Sequence, residues 1–379
     1  MNLWPSPCKG DALPTELSAR PIQEIKPTRS RSSVSTRIGD GESRPSATMG
    51  DMRIALLGAM GFVGQVAARE LSGRQEVREL LLVDYNVREA KKFAKSLAPK
   101  CRWAMADVGR AHDLGRLLGD VDAVASAVGP CREFEKTVLL TCAGSRRPAA
   151  SIGDGVLSDA DHREIHEAFR RAGVGAVSGC GLLPGWTDLL AVHFLPGGRP
   201  GESGPVPHGG ERFLFCSPDR FGGYGFFRRA VREIGHPASA PPCAPAGKYF
   251  QAAKGTAFGI PEGRTAGIFK GIAGSIGVFG TVGKEMSAAF LFWLRRFMQP
   301  PKGTPSAAAG VFPAEGGHGH FAAISDPDGR AAGTLLAETV LLLGGKQGKG
   351  KGLLRLPGIL GREEAERLAA ACGGEIRVG

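Results

Sequence analysis

The stretch Arg53–Asp84, RIALLGAMGFVGQVAARELSGRQEVRELLLVD, decides the fold. An apolar strand, Ile54–Leu57, runs into Gly58, Gly61 and Gly64, then a helix, then a second apolar strand, Leu80–Val83, that ends on Asp84. Gly58 lets the chain turn sharply off the strand. Gly61 removes a side chain where backbone must approach a pyrophosphate, and Gly64 lets the helix pack closely on the sheet. The helix then begins with N–H groups and the positive end of its dipole directed at the phosphates. Asp84 stands 20 residues after Gly64, at a strand end where a carboxylate can accept the ribose hydroxyls of an adenosine. Glycine spacing alone is a weak signal, because 57 of the 379 residues are glycine. The order strand, glycine turn, helix, strand, acid is what points to a dinucleotide site, against the plainer reading of a βαβ unit whose glycines only tighten a turn. Candidate cofactor contacts are therefore Gly58, Ala59, Met60, Gly61, Phe62, Val63 and Gly64 in the turn, and Asp84, Tyr85 and Asn86 at the second strand end.

The alternation continues toward the C-terminus. Val87–Leu97 reads as a helix and Arg102–Ala106 as a third strand ending on Asp107, which with Val108 would lie beside the adenine or simply open a surface turn. A helix at Asp113–Leu118 and a strand within Val121–Pro130 follow. The small-residue turn Ala127, Val128, Gly129 and Pro130 would set bare backbone against the nicotinamide half of the cofactor. Next come a helix at Glu133–Ala143, the strand-like ASIGDG ending on Asp154, a polar helix at Asp159–Ala172 and a strand at Gly175–Ser178. Strands and helices in strict alternation to about residue 180 require a parallel sheet, so the fold class is α/β, a Rossmann-like doubly wound sheet with a second α+β domain.

From 197 to about 330 the pattern changes to Gly/Pro clusters separating short aromatic runs such as ERFLFCS and HGHFAAIS. The expected organisation is a disordered extension at 1–48, a dinucleotide-binding domain at 49–180, an α+β substrate or dimerisation domain at 181–330, and a segment at 331–379 that returns to the first domain. The extension lacks an apolar signal core and carries acids that transit peptides avoid; synthesis starting at Met49 or Met52 is an alternative account of it.

A formal charge of +11 with no block of like charges fits a basic enzyme that attracts phosphorylated cofactors better than a nucleic-acid binder. Eight cysteines without metal-type or paired spacing read as reduced thiols of an intracellular, cytoplasmic protein. The apolar segment 265–298 has its longest uncharged run at Gly271–Gly283, short of the roughly 20 residues that span a bilayer. Its later part, Glu285–Met298, reads as a helix packed on a partner subunit or lid, with a peripheral membrane contact as the competing reading. A homodimer is expected.

Candidate catalytic groups are few. The only tyrosines, Tyr85, Tyr224 and Tyr249, have no Lys four positions on, which excludes the Tyr/Lys mechanism of short-chain dehydrogenases. His162 and His166 lie one turn apart on a charged helix without the glutamate of a zinc-protease motif. They read as a solvated face, and His318 and His320 as surface residues; no metal is expected. Asp154, at a strand end near the expected nicotinamide, is the best-placed acid, though it could equally cap the next turn.

Taken in order, GAMGFVG with Asp84, the SAVGP turn, SIGDG and GCGLLPGWTDLLA resemble the saccharopine dehydrogenase (reductase) family, well over residues 52–195 and loosely beyond, through DPDG at Asp326–Gly329 and the apolar helix after it. The resemblance implies the glycine turn at Gly58, Gly61 and Gly64, a nicotinamide-side turn at Val128–Pro130, Asp154 in the following segment, and the crossing into the second domain at Gly181–Gly185. It implies a Rossmann domain with an α+β partner domain and hydride transfer between NAD(P)H and a C–N or C–C centre of a small molecule, imine-like, amino-acid-like or lipid-like. Asp84 favours NAD over NADP because a 2′-phosphate would meet a like charge, and Arg88 one turn on could offset that. The alternative class is a nucleotide-holding sensor or scaffold without turnover.

Overall fold

Residues 52–57 form the first strand, β1 (Met52–Leu57), and their side chains divide between two cores. Ile54 and Leu56 point to one face of the sheet and Ala55 and Leu57 to the other, all fully buried. A strand buried on both faces must be apolar at every position, which is why this run does not alternate with polar residues. The protein is described here from a computed structural model that covers residues 52–153, 157–196, 198, 210–216, 282–283, 285–287, 289–290, 293, 307–313, 321–345 and 350–379. The expected extension at 1–48, Asp154, His318, His320 and most of the apolar segment 265–298 lie outside these residues.

The elements after β1 are α1 (Phe62–Gly73), β2 (Val77–Val83), α2 (Val87–Ser96), β3 (Cys101–Ala104), α3 (Ala111–Leu118), β4 (Ala123–Ser126), α4 (Cys131–Gly144), β5 (Ala149–Ser151), α5 (Asp159–Ala172) and β6 (Gly175–Ser178). A short edge strand late in the chain, β10 (Gly352–Leu354), adds alongside β6. Together they make a seven-stranded parallel sheet in the order β10-β6-β5-β4-β1-β2-β3. The chain winds outward from β1 through β2 to β3, then restarts at β4 on the other side and winds through β5 to β6. Strand order therefore reverses between β1 and β4, the place where ligands bind in open α/β sheets.

Helices cover both faces. Leu114 and Leu118 of α3, Val138, Leu139 and Cys142 of α4, and Ile165 and Phe169 of α5 fill one core. The other holds Ala67, Ala68 and Leu71 of α1, Ala94 of α2, and a helix that arrives from far along the chain, α7 (Ala331–Gly344). All but a few residues of α7 are buried, and its side chains are apolar apart from Thr334, Glu338 and Thr339, so the helix suits this enclosed place better than a surface. Gly333 of α7 lies against Val66 of α1, where a Cβ would sit 2.5 Å from the valine Cβ.

A second, four-stranded antiparallel sheet has the order β11-β9-β8-β7, from β7 (Gly210–Cys216), β8 (Ala307–Pro313), β9 (Ala322–Asp326) and β11 (Glu375–Val378). The helix α6 (Trp186–His193) packs against it, and the indole N–H of the fully buried Trp186 donates to the Ala331 carbonyl at 3.0 Å. The C-terminal stretch thus serves both sheets. Its α7 and β10 join the parallel one, and after α8 (Arg362–Ala371) the strand β11 completes the antiparallel one. Sequence alone did not indicate β11, a four-residue strand with two charged side chains.

Candidate functional site

The glycine turn is locked by backbone on every side. Gly58 has φ +71°, the left-handed region that disfavours other residues, and a Cβ there would meet the Ala127 carbonyl oxygen at 2.7 Å. The ends of β1 and β4 therefore touch through bare backbone. A Cβ on Gly64 would run into the Gly58 carbonyl oxygen, which fixes how closely α1 approaches β1. Gly61 is exposed and closes the turn by donating its N–H to the Gly58 carbonyl at 3.1 Å. α1 then opens with no side-chain cap and no acid in its first turn, so its N-terminal dipole faces the switch point without a competing carboxylate on that helix. Ala59 is buried, Met60 and Val63 are partly buried, and Phe62 is exposed.

Asp84 is only 7% exposed. One carboxylate oxygen accepts the Met60 N–H at 2.9 Å and the other accepts the Asn86 N–H at 2.9 Å. The acid is thus aimed across the end of β1, and each oxygen keeps a further lone pair able to accept another hydrogen bond. Asn86 caps α2 by accepting from Glu89 N–H, while Tyr85 and Arg88 are exposed beside it. Asp107 is exposed; it accepts the Gly109 N–H at 3.0 Å and pairs with Arg110 at 3.3 Å, the arrangement of an acid that opens a turn, with Val108 partly buried next to it.

On the other side of the switch point, Ala127 and Val128 lead into the cis peptide Gly129–Pro130, after which α4 begins directly at Cys131. Helix α4 carries one feature that the motifs did not indicate. Glu135 lies on the same helical face as Val138, Leu139 and Cys142 and is 3% exposed. Its Oε2 accepts the Ser151 hydroxyl at 2.6 Å and its Oε1 accepts the Ser178 hydroxyl at 2.8 Å. The readable signal was a lone acid at the head of an apolar i, i+3, i+4, i+7 row, a position that needs a polar partner inside the fold.

The turn Gly179–Gly185 lies over the end of β5. Gly179 and Cys180 both donate N–H bonds to the Ser151 carbonyl, at 2.9 and 2.8 Å, and Gly185 has φ +121° against the backbone of Gly181. Cys180 is fully buried. Burial pushes its thiol up to about 12, with the nearby Glu135 charge in the same direction, so it is neutral and no nucleophile. Cys142 is raised to about 12 for the same two reasons.

His166 packs its ring on the Gly352 backbone and lies 3.4 Å from the Leu353 carbonyl, while His162 is exposed. Among the described residues no group of three His, Cys, Asp or Glu side chains converges as a metal set, and no helix is long and apolar enough to cross a membrane. The described part of the apolar segment exposes Val282, Met286, Phe290 and Trp293.

Residues 54–177, from β1 to β6, match the Saccharopine dehydrogenase NADP binding domain. Among solved structures, the chain is similar to an apo saccharopine dehydrogenase (L-Glu forming) from Saccharomyces cerevisiae, with 15% identity, TM-score 0.47, and coverage of 87% of this chain and 100% of that one. It is also similar to a dipicolinate-bound dihydrodipicolinate reductase from Paenisporosarcina sp. TG-14, at 12% identity and TM-score 0.41, over 82% and 99% of the two chains. Likenesses this distant add nothing to the strand order and turn geometry described above. The domain match and that geometry agree on one segment: residues 54–177 match a saccharopine dehydrogenase NADP-binding domain and carry the strand order of a Rossmann-type nicotinamide-dinucleotide-binding domain.

Proposed function

We propose that the protein is an oxidoreductase that transfers hydride between NAD(P)H and a small molecule at a C–N or C–C centre, imine-like, amino-acid-like or lipid-like. The observation that carries this reading is the interlock at the switch point. Gly58 is pressed on the Ala127 carbonyl while Asp84 holds Met60, so one rigid backbone surface runs from the ribose acid to the nicotinamide-side turn. A dinucleotide laid across that surface would place its adenosine ribose on Asp84, its pyrophosphate on Gly58–Gly64 and the start of α1, and its nicotinamide against Ala127–Pro130. Tyr85, Asn86, Asp107 and Val108 would border the adenosine half.

When bound, the cofactor supplies the hydride, and the protein's contribution is binding, orientation and exclusion of water. Asp154, following β5, is the proposed proton donor or acceptor for the substrate heteroatom. Asp84 makes NAD the preferred cofactor, because a 2′-phosphate would approach a buried carboxylate whose backbone partners prevent it from turning away. The second sheet would supply the substrate pocket and a dimer contact.

The test is titration of the purified protein with NAD, NADH, NADP and NADPH by calorimetry, followed by absorbance at the nicotinamide band with cyclic imines and amino-acid adducts. Tight dinucleotide binding with turnover is the expected result. Binding without turnover across such a panel would favour a cofactor-holding sensor, and no binding of any dinucleotide would refute both readings.

A further inference from the structure

We propose that Glu135 is a positioning residue for the nicotinamide half of the cofactor, acting through Ser151 and Ser178. The inference rests on the dinucleotide reading above and adds to it a device that no part of the nucleotide motif contains.

Topology comes first. β5 and β6 follow β4 on the side of the sheet opposite β2 and β3, so their C-terminal ends lie under the nicotinamide half, away from the adenosine half at Asp84. Those two ends are Ser151 and Ser178, directly paired across the sheet. Adjacent parallel strands fix the spacing of their backbones but leave the side chains and exit turns free. Here one carboxylate ties both ends together, with hydroxyl-to-carboxylate distances of 2.6 and 2.8 Å that belong to charge-assisted bonds.

Ser151 passes the constraint on. Its hydroxyl oxygen accepts the Gly153 N–H at 3.4 Å, and its carbonyl takes the N–H groups of Gly179 and Cys180. Gly153 is at φ +36°, and a Cβ there would meet the Ser178 hydroxyl oxygen at 2.5 Å and Glu135 Oε1 at 3.2 Å, so only glycine fits over the pair. The starts of both exit segments, after β5 and after β6, are thereby held from below by a side chain of α4. That helix begins at Cys131, immediately after the nicotinamide-side turn.

The neighbouring Lys136 plays no part in the tie, since it turns outward to Asp161 and Glu164 on α5, at 2.6 and 2.8 Å. A buried acid used only for stability could sit anywhere on α4. This one joins the two strand ends that flank the reacting ring, which a positioning role requires and a packing role does not.

The consequence is separable from general stability because the two halves of the cofactor rest on different strands. Binding is measured by calorimetry for NADH and NADPH, and for ADP-ribose and its 2′-phosphate, which keep the adenosine and pyrophosphate but lack the nicotinamide ring. In Glu135→Gln, which keeps the shape and loses the charge, the tighter-binding reduced dinucleotide should weaken about tenfold, the size expected for loss of a charge-assisted bond. The matching ADP-ribose probe should change less than about twofold, well under the energy of one such bond.

Ser178→Ala removes one arm of the tie at a partly exposed position and should show the same selective loss to a smaller degree. If Glu135→Gln does not fold, Ser178→Ala and Ser151→Ala carry the test. Equal weakening of dinucleotide and ADP-ribose probes, or no weakening of either, in the folded variants would overturn the inference. Failure of the unmodified protein to bind any of the four probes would instead refute the dinucleotide reading itself.

Discussion

The backbone N–H of Met60 donates to the Asp84 carboxylate at 2.9 Å, so the acid that ends β2 also anchors the glycine turn that ends β1. Asp84→Ala removes that anchor, the second bond to Asn86, and the proposed ribose acceptor together. We expect NADH binding to weaken roughly ten- to a hundredfold, the equivalent of one or two charge-assisted hydrogen bonds, and the preference for NADH over NADPH to fall. Competitive titration of the two cofactors reads both quantities, and an unchanged preference would show that Asp84 does not face the ribose.

Two glycines on α1 give opposite expectations. Gly64→Ala drives a methyl group into the Gly58 carbonyl and should cost about 1–3 kcal/mol by forcing α1 off β1, with loss of dinucleotide affinity. Gly73→Ala, at the last turn of the same helix, meets nothing within 4 Å and should be neutral or stabilise by roughly 0.4–1 kcal/mol through the unfolded chain. Urea denaturation of the two variants side by side separates a steric effect from a general intolerance of substitution in α1.

Asp326 gives the clearest pH dependence. It is fully buried where β9 ends, and its carboxylate accepts the N–H groups of Arg330 and Ala331 at the start of α7. Burial raises it from 3.8 to about 6, outweighing those bonds, and nearby Asp328 pushes in the same direction. The folded chain then holds a proton between about pH 4 and 6 that the unfolded chain has released. Stability therefore falls as pH rises through that window, and the cost of ionisation is fully present above it. Asp161 runs the other way: Lys136 and Ser158 hold it near 2, so its contribution is lost only as pH falls below about 4. Asp326→Asn should flatten the slope between pH 4 and 6 in denaturant melts, and a slope equal to that of the unmodified protein would refute the assignment.

Glu338 of α7 joins two distant arginines, Arg74 after α1 at 2.8 Å and Arg367 of α8 at 3.2 Å, with its side chain 11% exposed. Glu338→Ala should cost about 1–3 kcal/mol, since it strips a nearly buried acceptor from two guanidinium groups. Both arginines reach solvent, so Glu338→Gln should recover part of that loss. The midpoint of thermal unfolding measures both.

The centre of the parallel sheet was legible because β1 and β4 are apolar runs that each lead into a glycine-containing turn, Gly58–Gly61 and Ala127–Pro130. Gly58, Gly64 and Asp84 were given their places by the order of strand, glycine turn, helix, strand and acid, and a Cβ at Gly58 or Gly64 would indeed meet backbone oxygen at once. Strand ends were read too long: the segment read as a strand through Asp154 stops at Ser151, where the chain turns up to bond with Glu135. The antiparallel sheet was only partly legible. Of the short aromatic runs, ERFLFCS overlaps β7 and the end of HGHFAAIS overlaps β9, but β8 is AAAGVFP and β11 is EIRV, and neither alternates in a way that separates a half-covered strand from a loop. Such strands are specified by their partners, and the partners of β11 lie some fifty residues earlier. Glu135 was missed for a related reason, because its significance depends on two serines from different strands.

The late position of α7 and β10 bears on how the chain must be made. The dinucleotide-binding strands are all synthesised by Ser178, yet the helix that covers β4 and β5 on one face is not complete until Gly344, and the strand that borders β6 only at Leu354. A nascent chain therefore carries a finished nucleotide motif on a half-covered sheet, with an open strand edge, while some 170 further residues emerge. Expressed only to Ser178, the segment would leave the α7 face of β4 and β5 and the edge of β6 uncovered, so the C-terminal stretch belongs in any expressed form of this domain.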